Sequence, residues 1–164
     1  FVHLRERGLI PNDAVFLLAG QPIGADSDED MRRWCVKLEQ SGLTAAVQIR
    51  PGFVPDENLA DYYGAADVVI ANSGPTMYST SGRGHLAMAY GAAVLAADVP
   101  LLAEFRYCGL AFASQAQLES GMARLAGSPE LRAELRQRAL DYAAQTQWCH
   151  IAAAHEAVYK EAIR

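Results

Sequence analysis

The sequence predicts an α/β chain with a Rossmann-like, doubly wound, mainly parallel sheet and helices on both faces. Three observations predict it. Short apolar runs alternate with stretches whose apolar residues recur at helical spacing, the order of successive βαβ units. Several of the runs are continuous rather than alternating, as strands covered on both faces are. Polar loops containing glycine, proline or serine follow those runs, where such sheets open their ligand crevice.

Residues 1–9 carry charges and Leu/Val at helical spacing, and read as the end of a helix with no strand before it. A turn with Pro11 and Asn12 leads into the apolar run 14–19, a buried parallel strand that ends at Gly20. The loop 20–28 is rich in Gly, Pro and Asp. Met31, Trp34, Leu38 and Cys35 then mark an amphipathic helix over 28–40. Asp28, Glu29 and Asp30 suit its first turn, where negative charge meets the positive end of the helix dipole. That explains the acidic cluster more simply than a divalent metal does.

Ser41 and Gly42 end this helix, and 45–49 is the next strand. Arg50, Pro51, Gly52, Phe53, Val54 and Pro55 form the loop after it. Asp56 is placed to cap a short helix to about Tyr63, with Leu59 and Tyr62 or Tyr63 facing inward and Gly64 closing it.

The stretch 65–104 organises the chain. Strand 68–71 runs into a long loop carrying Ser79, Thr80, Ser81, Gly82, Arg83 and Gly84. A helix follows over 84–90, Gly91 stops it, and strand 92–97 comes next. After Asp98, Val99 and Pro100, a turn or short helix covers 101–105, and 109–113 has a weak strand pattern. Ser114 and Gln117 have capping-box spacing and open a helix with Leu118, Met122 and Leu125 on one face. Ser128 caps another, with Pro129 at its first position and a stripe of Leu131, Leu135, the Arg138 stem or Ala139, and Tyr142. The last helix, 148–162, lines up Ile151, Ala154 or His155, and Val158. No repeat, low-complexity segment or interior linker divides the chain.

At 164 residues the chain is long enough for one real core. The net charge of −5 argues against a general role on nucleic acid or an anionic membrane, while local phosphate binding needs only a few N–H groups and a cation. No apolar run approaches a membrane span. Cys35, Cys108 and Cys149 are widely spaced without CxxC, against a disulfide framework or a cysteine zinc site. They read as buried or half-buried thiols in a reduced compartment.

The GxGxxG, GxxxxGK[ST] and GxSxG patterns are absent. His3, His85, His150 and His155 share no metal-ligand spacing, and His3 and His155 read as surface residues. The best candidate site is Ser81, Gly82, Arg83, Gly84 and His85. Glycines admit a close backbone approach, the N–H groups of the following helix favour a phosphate, and Arg83 adds a forked cation. The plain alternative is a connection with a solvated arginine. A second candidate is 50–54, where Phe53 and Val54 could hold a planar base, against a turn with Phe53 in the core. A third is 20–24, where Gly20 could approach a diphosphate or sugar, against a surface loop.

From Gly52 onward the chain resembles the C-terminal, donor-binding half of a retaining two-domain (GT-B) glycosyltransferase, close to glycosyltransferase family 4. The matching runs are GFVPDENLADYYGAADVVIANS, GHLAMAYGAAVLAADVPLLAEF, SPELRAELRQRALDYA and WCHIAAAHEAVY, and LLAG at 17–20 fits the strand that ends beside the donor. The resemblance implies binding of a nucleotide-diphosphate sugar and transfer of the sugar to an acceptor held by a separate N-terminal domain. It places the base near Phe53 and Val54 and the diphosphate at the loop Ser81 to Gly84 (Ser81, Gly82, Arg83, Gly84), with Gly20 ending the strand beside the donor and Ser79, Ser81 or a main-chain group in place of a glutamate toward the ribose. It implies no metal and no cofactor beyond the donor itself. It also implies that 1–164 lacks the domain's first strand, and a cytoplasmic location, with peripheral membrane attachment through other parts left open. The family's two glutamates are replaced: Leu86 stands at the second position and none occurs near Tyr78 at the first, as in a divergent branch. Leu86 cannot accept hydrogen bonds from ribose, which leaves open a non-catalytic nucleotide-binding or protein-interaction domain. A nucleotide-sugar epimerase is a further alternative. His85 is a candidate for direct catalysis, because histidine titrates near neutrality.

Overall fold

The computed structural model describes residues 1–20, 27–73 and 81–163. Their order is α1 (Val2–Glu6), β1 (Phe16–Gly20), α2 (Ser27–Ser41), β2 (Val47–Pro51), α3 (Asp56–Ala65) and β3 (Val68–Ala71). Then come α4 (Gly82–Ala89), β4 (Ala93–Ala97), a 3₁₀ helix (Pro100–Tyr107) and β5 (Leu110–Phe112). Three helices finish the chain: α5 (Gln115–Gly127), α6 (Pro129–Gln145) and α7 (Trp148–Ala162).

All strand pairings among these residues are parallel, in two sets. β1 pairs with β2, Phe16 opposite Val47 and Gly20 opposite Pro51. β3, β4 and β5 pair in that order, with Val68 opposite Ala93 and Leu95 opposite Leu110. The second edges of β1 and β3 meet no strand among the described residues. The architecture is a Rossmann-like, mainly parallel layer with flanking helices.

The core lies around β4. Its sequence AVLAA is apolar throughout, and all five residues are buried between neighbouring strands and helices. Leu95 meets α5 at Gly121, where the missing side chain lets the helix come close. α4 and α6 pack together and against β4, with Met88, Leu135 and Ala139 buried there. Leu102 and Phe105 of the 3₁₀ helix, and Cys108 just after it, join the cluster.

Away from β4 the expectations need correction. β1 begins at Phe16, two residues late, and is not a buried strand: Leu17 and Ala19 are exposed and the others half-buried. The cause is thin cover. α2 has nearly the expected extent, but of its expected apolar stripe only Met31 and Leu38 are even half-buried, while Trp34 and Cys35 are exposed. β2 likewise starts at Val47 rather than 45. Asp56 does not cap α3. Pro55 holds the cap position with extended backbone and no side-chain bond, so Asp56 already lies inside the first turn. Cys108 is buried as expected, but Cys35 and Cys149 are exposed. The apolar stripe of α7 is uncovered: no residue of that helix is buried, Ile151 is half-buried and Trp148 is 87% exposed. Among the described residues no helix is long and apolar enough to cross a membrane.

The caps at Ser114 and Ser128 form as their spacing predicts. Ser114 Oγ accepts from the Gln117 N–H at 3.3 Å, and Ser128 Oγ from the Leu131 N–H at 3.1 Å. The Gln117 side chain reaches back to the Ala113 N–H at 2.7 Å, one residue before the usual capping-box partner.

Candidate functional site at the amino end of α4

The carboxyl ends of the parallel strands carry the candidate residues. Gly20 closes β1 with φ 142°, and Gly52 follows β2 with φ 123°. Both angles favour glycine, and the Gly52 N–H donates to the Gly20 carbonyl at 3.2 Å, tying the two strand ends together. Phe53 is 76% exposed, so it is not the core residue that the alternative reading required. Val54 beside it is half-buried.

α4 starts at Gly82, two residues earlier than the apolar spacing suggests, and Ser81 is its N-cap. Its backbone is extended, and its Oγ accepts the Gly84 N–H at 3.3 Å. Its carbonyl accepts the His85 N–H at 3.1 Å. The N–H groups of Gly82 and Arg83 take no acceptor among the described residues, as expected for the first turn of a helix. Gly82 and Arg83 are exposed. The Arg83 guanidinium makes no hydrogen bond or ion pair among the described residues. A helix dipole, two open donors and a guanidinium therefore coincide at one exposed end, an arrangement suited to an oxyanion such as phosphate.

Three elements brace this end. The Tyr63 hydroxyl of α3 donates to the Arg83 carbonyl at 3.1 Å, and its ring stacks on Tyr90 with centroids 5.7 Å apart. Burial raises the Tyr63 hydroxyl above its ordinary range, and the positive charge of Arg83 opposes that rise. Gly84 is buried against the Phe105 ring. His85 turns both ring nitrogens to acceptors: Nδ1 lies 2.9 Å from the Ser81 carbonyl oxygen, and Nε2 lies 3.1 Å from Glu104 Oε2. Tyr142 of α6 donates its hydroxyl to the same Glu104 oxygen at 3.2 Å. Burial, and secondarily Glu104, raise the Tyr142 hydroxyl; the same two causes push the neighbouring Cys108 thiol to about 11.

A cavity of about 470 Å³ opens beyond the ends of β3, β4 and β5, lined in part by Asn72, Ser73, Asp98, Phe112 and Ser114. Asp98 is held there by Arg106, whose Nε donates at 2.8 Å. The sequence did not mark these as site residues, although Ser114 stood out as a helix cap. Their position immediately after an apolar run was the available signal. Tyr63, Glu104 and Tyr142 were also missed as parts of the site, and they come from three separate elements with no shared motif.

Thus Ser81, Gly82, Arg83, Gly84 and His85 form one cluster, and Gly20 lies with the 52–54 loop in another. No hydrogen bond, ion pair or ring contact joins Phe53 or Val54 to residues 81–84 among the described residues. Ser79 lies outside the described residues. Among those described, no three His, Cys, Asp or Glu side chains are grouped as a metal ion would need.

No protein-family model matches the sequence, and no curated protein matches it. Solved structures do match by fold. Anabaena Alr3699/HepE in complex with UDP is 17% identical with a TM-score of 0.71, over 88% of this chain and 40% of that one. Sucrose-phosphate synthase from Thermosynechococcus elongatus is 22% identical with a TM-score of 0.72, over 99% of this chain and 41% of that one. The C-terminal domain of the glycosyl transferase group 1 family protein LpcC from Francisella tularensis is 23% identical with a TM-score of 0.71, over 88% and 73%. The chain spans about two fifths of the length of the first two. At these identities the likeness is one of fold: a Rossmann-like domain similar to one half of GT-B glycosyltransferases.

Proposed function

We propose that residues 1–164 are the donor-binding unit of a retaining, two-domain glycosyltransferase of a divergent branch resembling family 4. The observation that carries this reading is the amino end of α4, where the Gly82 and Arg83 N–H groups and the Arg83 guanidinium have no partner among the described residues, beside a parallel sheet's carboxyl ends. Sugar transfer builds negative charge on a departing diphosphate. Fixed N–H dipoles and a guanidinium stabilise that charge without reorganising during the reaction, so no metal is required. The exposed Phe53 ring, with Val54 and the tied ends of β1 and β2, suits a planar base. Ser81 completes the diphosphate side, and Ser79 or Ser81 takes the place of the missing glutamate toward the ribose.

In this reading the acceptor sits on an N-terminal domain outside these residues. A further strand pairs with an edge that β1 and β3 leave open, and the protein works in the cytoplasm. The fold likeness to a protein crystallised with UDP and with UDP-glucose supports a nucleotide-sugar ligand.

Calorimetric titration with UDP, GDP and ADP, with and without Arg83→Ala, tests the reading. Binding of one nucleotide that weakens about tenfold in the variant is expected. Unchanged affinity in a folded variant removes Arg83 from the site. A second reading, a non-catalytic binding domain, is favoured by the uncovered face of α7 and by Leu86. It predicts no release of nucleoside diphosphate when a nucleotide-sugar panel is supplied with acceptor extract.

A further inference from the structure

The loop that would meet the diphosphate is held from behind by a chain of polar contacts. It runs from the Ser81 carbonyl through His85 to Glu104 and on to Tyr142, joining the start of α4 to the 3₁₀ segment and α6. All four residues are partly buried. His85 engages main chain on one side and carboxylate on the other, so its ring is turned into this relay. The relay also places the imidazole between the Glu104 carboxylate and the Ser81 carbonyl, at the same end of α4 as the open Gly82 and Arg83 donors.

We propose that Glu104 is a positioning residue for the amino end of α4. Through His85 it fixes the Ser81 peptide, and Tyr142 anchors Glu104 in turn. With the Ser81 carbonyl held by both the His85 side chain and the His85 N–H, the peptide that carries the Gly82 N–H, and through it the helix turn that presents the Arg83 N–H, is restrained. The Gly82 and Arg83 donors then keep one direction before any ligand arrives, which is preorganisation. The inference deepens the diphosphate reading and rests on it for its consequence, though not for its geometry.

Its test uses Glu104→Ala, Glu104→Gln, His85→Ala and the double Ala variant, with two readouts on the full chain. The first is amide hydrogen exchange of residues 81–88 without ligand. Exchange should quicken in both single Ala variants, and Glu104→Gln should largely restore protection, because its side-chain amide can still hydrogen-bond His85 Nε2 as donor or acceptor. The second is UDP affinity. Each single Ala variant should lose about tenfold, and the double variant should lose no more than either, since both break one relay. Tyr142→Phe, which keeps the ring and removes only the hydroxyl, should lose about threefold. Wild-type exchange in Glu104→Ala, or losses that multiply in the double variant, overturn the proposal. If wild-type protein binds no nucleotide, the functional reading fails, while exchange alone still decides whether Glu104 positions the loop.

Discussion

Gly84 lies flat against the Phe105 ring, so that a Cβ on Gly84 would stand 2.0 Å from Phe105 Cζ. No atom pair tolerates that approach, and Phe105 is fully buried with little room to retreat. The contact sets how closely α4 sits on the core, and so where its amino end stands. Gly84→Ala should cost about 1–3 kcal/mol in thermal or denaturant unfolding. Gly82→Ala, where a Cβ meets nothing within 4 Å, should leave stability near wild type.

Ser81 caps α4 through a single side-chain bond to the Gly84 N–H. Ser81→Ala should destabilise the chain by about 1 kcal/mol, and Ser81→Asp, which keeps an acceptor at the cap, should recover most of it. Denaturant midpoints of the three proteins decide this.

Phe53 and the fold are separable. Its ring is largely exposed, so Phe53→Ala should change stability by no more than about 0.5 kcal/mol. If the ring meets a base, the same variant should weaken nucleotide binding about tenfold. Unchanged affinity in calorimetry would remove Phe53 from the site.

Cys108 supplies a pH test. Its thiol is pushed from 9.0 to about 11 in the folded chain by burial first and by Glu104 second. A raised folded value means that the folded state favours the protonated thiol. The resulting stability is complete below about pH 9 and falls as pH rises from there through about 11. Unfolding free energy should therefore drop across that window, and Cys108→Ala should drop less steeply. Tyr63 and Tyr142, also raised chiefly by burial, act in the same direction from about pH 10 upward.

The three thiols should also separate by reactivity. Cys35 and Cys149 are exposed and Cys108 is buried. A maleimide at neutral pH should label two thiols per folded chain quickly, and the third only on unfolding. Mass spectrometry of the labelled peptides reads the result.

The order of elements was legible because local chemistry writes it. AVLAA, bounded by Gly91 and Pro100, suits an inner strand of an α/β layer, and Ser114 and Ser128 cap their helices with their own hydroxyls, a bond that spans three residues of sequence. The candidate loop was legible for the same reason: serine, glycine and arginine before a helix are a local pattern, and Ser81 does cap α4. Burial away from β4 was not legible. The runs at β1 and α7 are apolar, yet whether a run is covered depends on what packs over it, and the described residues cover neither. Nor could the sequence show what braces the site. Tyr63, Glu104, Phe105 and Tyr142 lie up to 61 positions from Ser81, and only the packing of α3, the 3₁₀ segment and α6 around α4 brings them to it. The sequence by itself determined which segments become strands and helices, and which loop carries open donors, because hydrogen bonds and periodicity act over a few residues. Tertiary structure alone decided that His85 faces a carboxylate and that Gly84 meets an aromatic ring, because those contacts exist only once distant segments share one core.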